Sequence, residues 1–173
     1  MTIHAEHPFA DPPGSRDPLR RFRGRLPTAV TVVTTGEGAS RTGLTVSSFL
    51  VAMGDPAHVV ALIDPDSDLG TALEPGRTMA VSILTADDAY LAEAFAGLAP
   101  APGGLFRLGA WTQTAWGPVV EGSSWLGAVV THVHPLGYSL QVTAQVAHVQ
   151  LGRDGALLHR RGRYIAVDLE PTT

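Results

Sequence analysis

The stretch Gly43-Leu44-Thr45-Val46-Ser47-Ser48-Phe49 decides the fold. It opens on a glycine, alternates apolar and hydroxyl side chains, and closes on two adjacent serines and an aromatic ring. Successive side chains of a strand point to opposite faces. Thr45 and Ser47 are therefore expected on one face, with Leu44, Val46 and Ser48 on the other. Hydroxyls on a strand can be nothing more than a half-buried polar face. Nowhere else in the chain do glycine, hydroxyls and an aromatic ring crowd so closely inside an apolar run. At Ser47-Ser48 the backbone N–H groups can also turn outward, toward a polar ligand.

Upstream, residues 28–35 are β-branched almost throughout and read as a strand. The glycine-rich turn at 36–40 joins it to a second strand over 41–51, giving a hairpin. Before that pair, Asp17-Pro18 is a helix start: a capping acceptor followed by proline at the first helical position. Leu19, Phe22 and Leu26 form one apolar stripe of this helix, arginines take the other faces, and Pro27 ends it.

Downstream, residues 57–63 form a short continuous apolar run suited to a strand buried on both faces. A short helix is expected over 66–73, a strand over 78–84, and a second helix from Asp87, with Tyr90, Leu91, Ala94 and Phe95 on its apolar face. Residues 98–122 are irregular and hold Phe106, Trp111 and Trp116, as a lid, a binding segment or a dimer contact would. Long strands over 125–134 and 138–151 pair, and a last hairpin joins 156–159 to 164–169.

Dense short strands without β-α alternation make the fold mainly β, an antiparallel barrel with a few covering helices. The 173 residues suffice for one domain, expected over 17–170, behind a flexible N-terminal arm over 1–16. A net charge of -4, with dispersed charges, gives no basic stripe for nucleic acid. No apolar run reaches the roughly 18 residues of a membrane span. The absence of cysteine excludes disulfides, thiolate zinc sites and thiol catalysis, and a cytoplasmic location is expected.

A set of segments carries a family resemblance: Phe22-Arg23-Gly24-Arg25-Leu26-Pro27-Thr28, Val30-Thr31-Val32-Val33-Thr34-Thr35, the Gly43–Phe49 stretch, Asp55-Pro56, Ala80-Val81-Ser82-Ile83-Leu84, Phe95-Ala96, Trp125-Leu126 and Arg161-Gly162-Arg163-Tyr164. In this order and spacing they resemble the flavin reductase-like proteins of the FMN-binding split-barrel fold. These are typically small reductase components of two-component flavin monooxygenases.

The resemblance implies a split β-barrel, antiparallel and Greek-key-like, assembled as a homodimer. It implies FMN or FAD as cofactor or substrate, NADH or NADPH as reductant, and a monooxygenase as partner. Gly43, Leu44, Thr45, Ser47 and Ser48 would lie along the flavin ring and ribityl chain. Leu62, Ile63, Asp64 and Ser67 would lead to the phosphate, with Phe95 nearby. Hydride passes between stacked rings, so no catalytic side chain is implied.

The chain departs from the family at anchoring positions. The phosphate segment reads Asp64-Pro65-Asp66-Ser67-Asp68, and its carboxylates oppose a phosphate. A frequent arginine is Ala94, a frequent asparagine is Ser82, and the Gly-Asp-His turn is Gly137-Tyr138-Ser139. Two other readings therefore stay open. One is a flavin-free enzyme with a tryptophan-lined cleft for a small apolar metabolite. The other is a barrel that binds flavin without turning over a nicotinamide. Arg160, Arg161 and Arg163 are either a solvated rim or a substitute for the lost cation. His132 and His134 have chelating spacing, but a solvent-facing strand explains them better. Ser47 and Ser48 lack the nucleophile elbow of a serine hydrolase.

Overall fold

The computed structural model describes residues 17–167; the expected arm over 1–16 lies outside the described residues. Helix α1 (Pro18–Arg25) starts as its sequence dictates, with Asp17 accepting a 2.8 Å hydrogen bond from the Leu19 N–H. Its apolar stripe is not buried: Leu19, Phe22 and Leu26 are exposed.

The β-branched run forms two strands rather than one, β1 (Thr28–Ala29) and β2 (Thr31–Thr35). Val30 is the switch between them. Its N–H donates to the Leu157 carbonyl at 2.8 Å, and its carbonyl accepts from the Leu84 N–H at 3.1 Å. The chain thereby passes from one sheet to another without leaving a buried backbone group unpaired.

The expected strand over 41–51 is likewise two strands, β3 (Thr42–Val46) and β4 (Phe49–Ala52), interrupted at Ser47-Ser48. β5 (His58–Ile63), α2 (Asp68–Ala72), β6 (Thr78–Ile83) and α3 (Ala89–Phe95) follow. The stretch expected to be irregular is ordered. It makes a 3₁₀ turn (Leu105–Arg107) and a hairpin of β7 (Trp111–Thr114) and β8 (Gly117–Val120). The chain ends in two hairpins, β9 (Trp125–Leu136) with β10 (Ser139–Gln150), and β11 (Ala156–Arg160) with β12 (Arg163–Val167).

Seven strands form one antiparallel sheet in the order β3-β2-β6-β9-β10-β5-β4. Its two edges, β3 and β4, are consecutive in the chain. The sheet is therefore curled, and Ser47-Ser48 crosses the seam between its rims. The Leu62 N–H donates to the Ser48 carbonyl at 3.0 Å, tying β5 to the crossing. This explains the split. A strand paired with β2 on one rim cannot continue into pairing with β5 on the other without a break.

Inside the curl, Val33, Ile63, Leu69, Met79, Val81, Val130 and Val142 make the main core. A second core beneath α3 gathers Val30, Val32, Leu84, Leu91, Phe95 and Leu157. Phe106 and Trp111 close over Phe95, with ring centroids 5.3 Å from it and 5.0 Å from each other. Asp88 fixes the start of α3. It accepts from the Thr85 N–H and hydroxyl at 2.9 Å and pairs with Arg153 at 3.0 Å.

Candidate functional site

Ser47 and Ser48 leave β3 at the seam and line a cleft of about 280 Å³. Two other elements complete it. α1 brings Arg20 and Arg23, and the register of β1 on β11 sets Thr28 opposite His159, both of which face the cleft. The β11–β12 turn is pinned to α1: the Arg161 N–H donates to the Gly24 carbonyl at 2.9 Å and Arg160 Nε to the Arg25 carbonyl at 3.2 Å. Arg160 and the Arg161 backbone thus fasten this wall, and neither residue lines the cleft that contains Asp68.

Both faces of β3 are already occupied. Leu44 and Val46 pack into the main core. A Cβ on Gly43 would lie 2.9 Å from Phe95 Cε1 and 3.0 Å from Thr34 Cγ2, so glycine is what lets Phe95 reach the strand. The Thr45 hydroxyl donates to the Ala92 carbonyl at 2.7 Å and holds α3 in place. Thr45 is thus used within the fold, its hydroxyl on α3, while Ser47 lies in the cleft. What β3 can offer a ligand is its edge, since it pairs only with β2. The terminal serines add hydroxyls to which the structure gives no partner among the described residues.

At the other end of β3 lies a second cleft of about 300 Å³, whose lining includes Arg41, Thr42, Asp68, Phe106 and Arg107. Of the three carboxylates in the 64–68 stretch, Asp68, the first residue of α2, alone faces it. Asp64 Oδ1 accepts from the Asp66 N–H at 2.9 Å, which curls the turn on itself. The Ser67 hydroxyl donates to the Asp64 carbonyl at 2.7 Å and accepts from the Gly70 N–H at 2.9 Å as the cap of α2. Asp64 and Ser67 thus build the turn. Ile63 and Phe95 are buried, Leu62 is partly exposed on β5, and Ala94 is packed in the core.

Of the ten residues expected at the flavin, Ser47 and Ser48 line a cleft and the other eight line neither of the two clefts. The sequence reading did not single out His159, Arg41 or Arg107. His159 carries no motif, and the two arginines line one cleft because the 105–107 turn folds back on the start of β3.

Trp116 stacks on His148 at 5.0 Å and 18°, and Trp125 lies 4.8 Å from the same imidazole. Trp111 Nε1 donates to the Leu108 carbonyl at 2.7 Å. The tryptophans thus sit in packed clusters, which removes the reading of a tryptophan-lined cleft. Gly137 (φ 60) and Tyr138 form the β9–β10 turn, and this turn lines neither cleft. Among the described residues, no three His, Cys, Asp or Glu side chains gather as a metal site. Burial raises the Tyr164 phenol above its ordinary 10.0, and the Glu93 carboxylate adds to the shift.

The curled antiparallel sheet is shared with proteins of known structure. The chain belongs to the flavin reductase like domain family, whose model matches residues 23–168. It is similar to the NADH-dependent FMN reductase AsuE2 of Streptomyces nodosus subsp. asukaensis, 36% identical over 81 residues, which are 47% of this chain and 44% of that protein. The match thus spans less than half the length of AsuE2. A longer match, 26% identical, covers 87% of this chain and 92% of the 4-hydroxyphenylacetate 3-monooxygenase reductase component of Salmonella typhimurium. Among solved structures, the NADH:FAD oxidoreductase SgcE6 of Streptomyces globisporus C-1027 superposes with a TM-score of 0.77 at 27% identity, covering 94% of this chain and 100% of that one. No helix of the described residues is long and apolar enough to cross a membrane.

Proposed function

We propose that this chain is an NAD(P)H-dependent flavin reductase that supplies reduced FMN or FAD to a partner monooxygenase. The observation that carries the reading is the open edge of β3, with two unpartnered serine hydroxyls at one end and two guanidinium groups at the other. A flavin has this distribution: a tricyclic ring rich in hydrogen-bonding edges, a polyol, and a phosphate.

The fit is chemical as well as spatial. Ser47 and Ser48 offer hydroxyls and turned backbone groups to the ring edge, and the edge of β3 offers backbone N–H and C=O groups to the chain that follows. When bound, the flavin supplies the redox chemistry, accepting hydride from the reduced nicotinamide. The protein holds the two rings in contact and needs no acid or base of its own. Arg20 and Arg23 set positive charge at the rim of the Ser47-Ser48 cleft, which suits the diphosphate of a nicotinamide dinucleotide.

The same reading makes the protein a homodimer in the cytoplasm. Its support is exposed apolar surface: Leu19 and Phe22 on α1, Leu50 and Val51 on the β4 edge, and Met53, which is 89% exposed. Exposed apolar side chains in such number suit contact with another chain. Sedimentation should show a dimer.

The reading is tested by titrating the purified protein with FMN and FAD, and by following NADH and NADPH oxidation with and without added flavin. Flavin-dependent oxidation is expected. Flavin binding without nicotinamide turnover would leave only a binding protein.

A further inference from the structure

We infer that Arg41 and Arg107 form a two-guanidinium clamp for the phosphate of the flavin, replacing the cation that the Asp64–Asp68 segment and Ala94 do not provide. The inference rests on the flavin reading above and goes beyond it, because it assigns phosphate selectivity to two residues far apart in the chain.

Arg41 is already held in place. Its Nε donates to the Gly38 carbonyl at 2.9 Å, and its Cζ lies 4.9 Å from the centre of the Phe106 ring. One N–H and one face of the guanidinium are thus used, and the terminal nitrogens remain for a ligand. Phe106 itself packs edge-on against Phe95, so the second core supports the arginine.

Arg107 reaches the same cleft from the 3₁₀ turn. Gly104 starts that turn at φ 107 and ψ 155, a conformation open to glycine, and its carbonyl accepts from the Arg107 N–H at 3.0 Å. Among the described residues, the Arg107 side chain takes no hydrogen bond or ion pair. Asp68 lines the cleft but pairs with neither arginine. Two guanidinium groups facing one carboxylate leave a net positive cleft, and planar guanidinium forks match phosphate oxygens.

The placement suits one ligand. Thr42 begins β3 and Ser47 follows its end, about 17 Å apart at the usual rise of a strand. A ring docked at Ser47-Ser48 with its side chain drawn along the strand edge delivers its terminal phosphate to Arg41 and Arg107. The clamp therefore makes FMN a much better ligand than riboflavin, which shares the ring and polyol but lacks the phosphate. Asp68 works against it, by like-charge repulsion.

The test is equilibrium titration of the wild-type protein and of Arg41→Ala, Arg107→Ala and Asp68→Asn with FMN and with riboflavin, following quenching of flavin fluorescence. Far-ultraviolet circular dichroism and thermal melting check the fold of each variant. Losing one charge-assisted contact should weaken FMN binding about tenfold in either arginine variant and leave riboflavin unchanged. Asp68→Asn should tighten FMN binding, which a purely structural role for this cleft would not produce. Equal wild-type affinity for FMN and riboflavin, or an arginine variant that weakens both alike, would overturn the clamp and spare the flavin reading. Failure of the wild-type protein to bind either flavin would overturn both.

Discussion

The two ends of β3 are made in different ways. At the Ser47-Ser48 end the cleft follows from connectivity: the chain must cross from one rim of the sheet to the other, and the crossing exposes the serines. At the Arg41 end the cleft comes from side chains on loops, steadied by an aromatic cluster. One end comes with the barrel itself. The other can be gained or lost by single substitutions without changing the topology. The ring-binding end should therefore tolerate little change, and the anion-binding end should set which flavin is preferred.

Phe95 supports the Arg41 end, lying beside Gly43 near the start of β3 and against Phe106. Phe95→Ala should give the largest effect, a loss of about 3–5 kcal/mol in denaturant unfolding, with FMN binding weakened through the loss of support for Phe106 and Arg41. Thr45→Val should come next. It removes the hydroxyl that grips the Ala92 carbonyl, at a cost of about 1–2 kcal/mol. Its ratio of FMN to riboflavin affinity should stay as in the wild type, and a changed ratio would show the two ends to be coupled through α3.

Ser47→Ala should weaken riboflavin and FMN by the same factor, about fivefold for one hydrogen bond, as measured by fluorescence titration. That pattern is the reverse of the one expected for the arginines. Selective weakening of FMN would erase the distinction between the ends. The smallest effect concerns Tyr164. Its phenol is raised in the folded protein, so the unfolded chain loses this proton first as pH rises. Stability should be unaffected below pH 10.0 and decline above it, in denaturant unfolding at stepped alkaline pH.

Much of the barrel was legible locally. The Asp17-Pro18 start, the β-branched run and the glycine turns each carry their own signal, and each formed its element near the expected place. The break at Ser47-Ser48 was only half legible: two adjacent hydroxyls interrupt the alternation, yet one strand was expected to run on over 41–51. Only the identity of the neighbouring strands, β2 on one side and β5 on the other, forces the switch.

At the site, Ser47 and Ser48 were readable from the crowding of hydroxyls. Asp64 and Ser67 were read as ligand contacts, yet a short polar side chain ahead of a helix serves equally well as a turn and cap, and here it does. His159 entered through strand register, and Arg107 through a turn in a stretch whose glycines and prolines gave no periodicity to follow.

The serine dipeptide that bridges the rims has a dynamic consequence. Any breathing that parts the barrel must pull on these two residues, and with them on the Leu62 amide bonded to the Ser48 carbonyl. Solvent deuterium should therefore enter at Leu62 whenever the seam loosens, making one backbone proton a gauge of the barrel's opening. A ligand seated on the serines would act as a stitch, slowing that exchange without touching the amide itself.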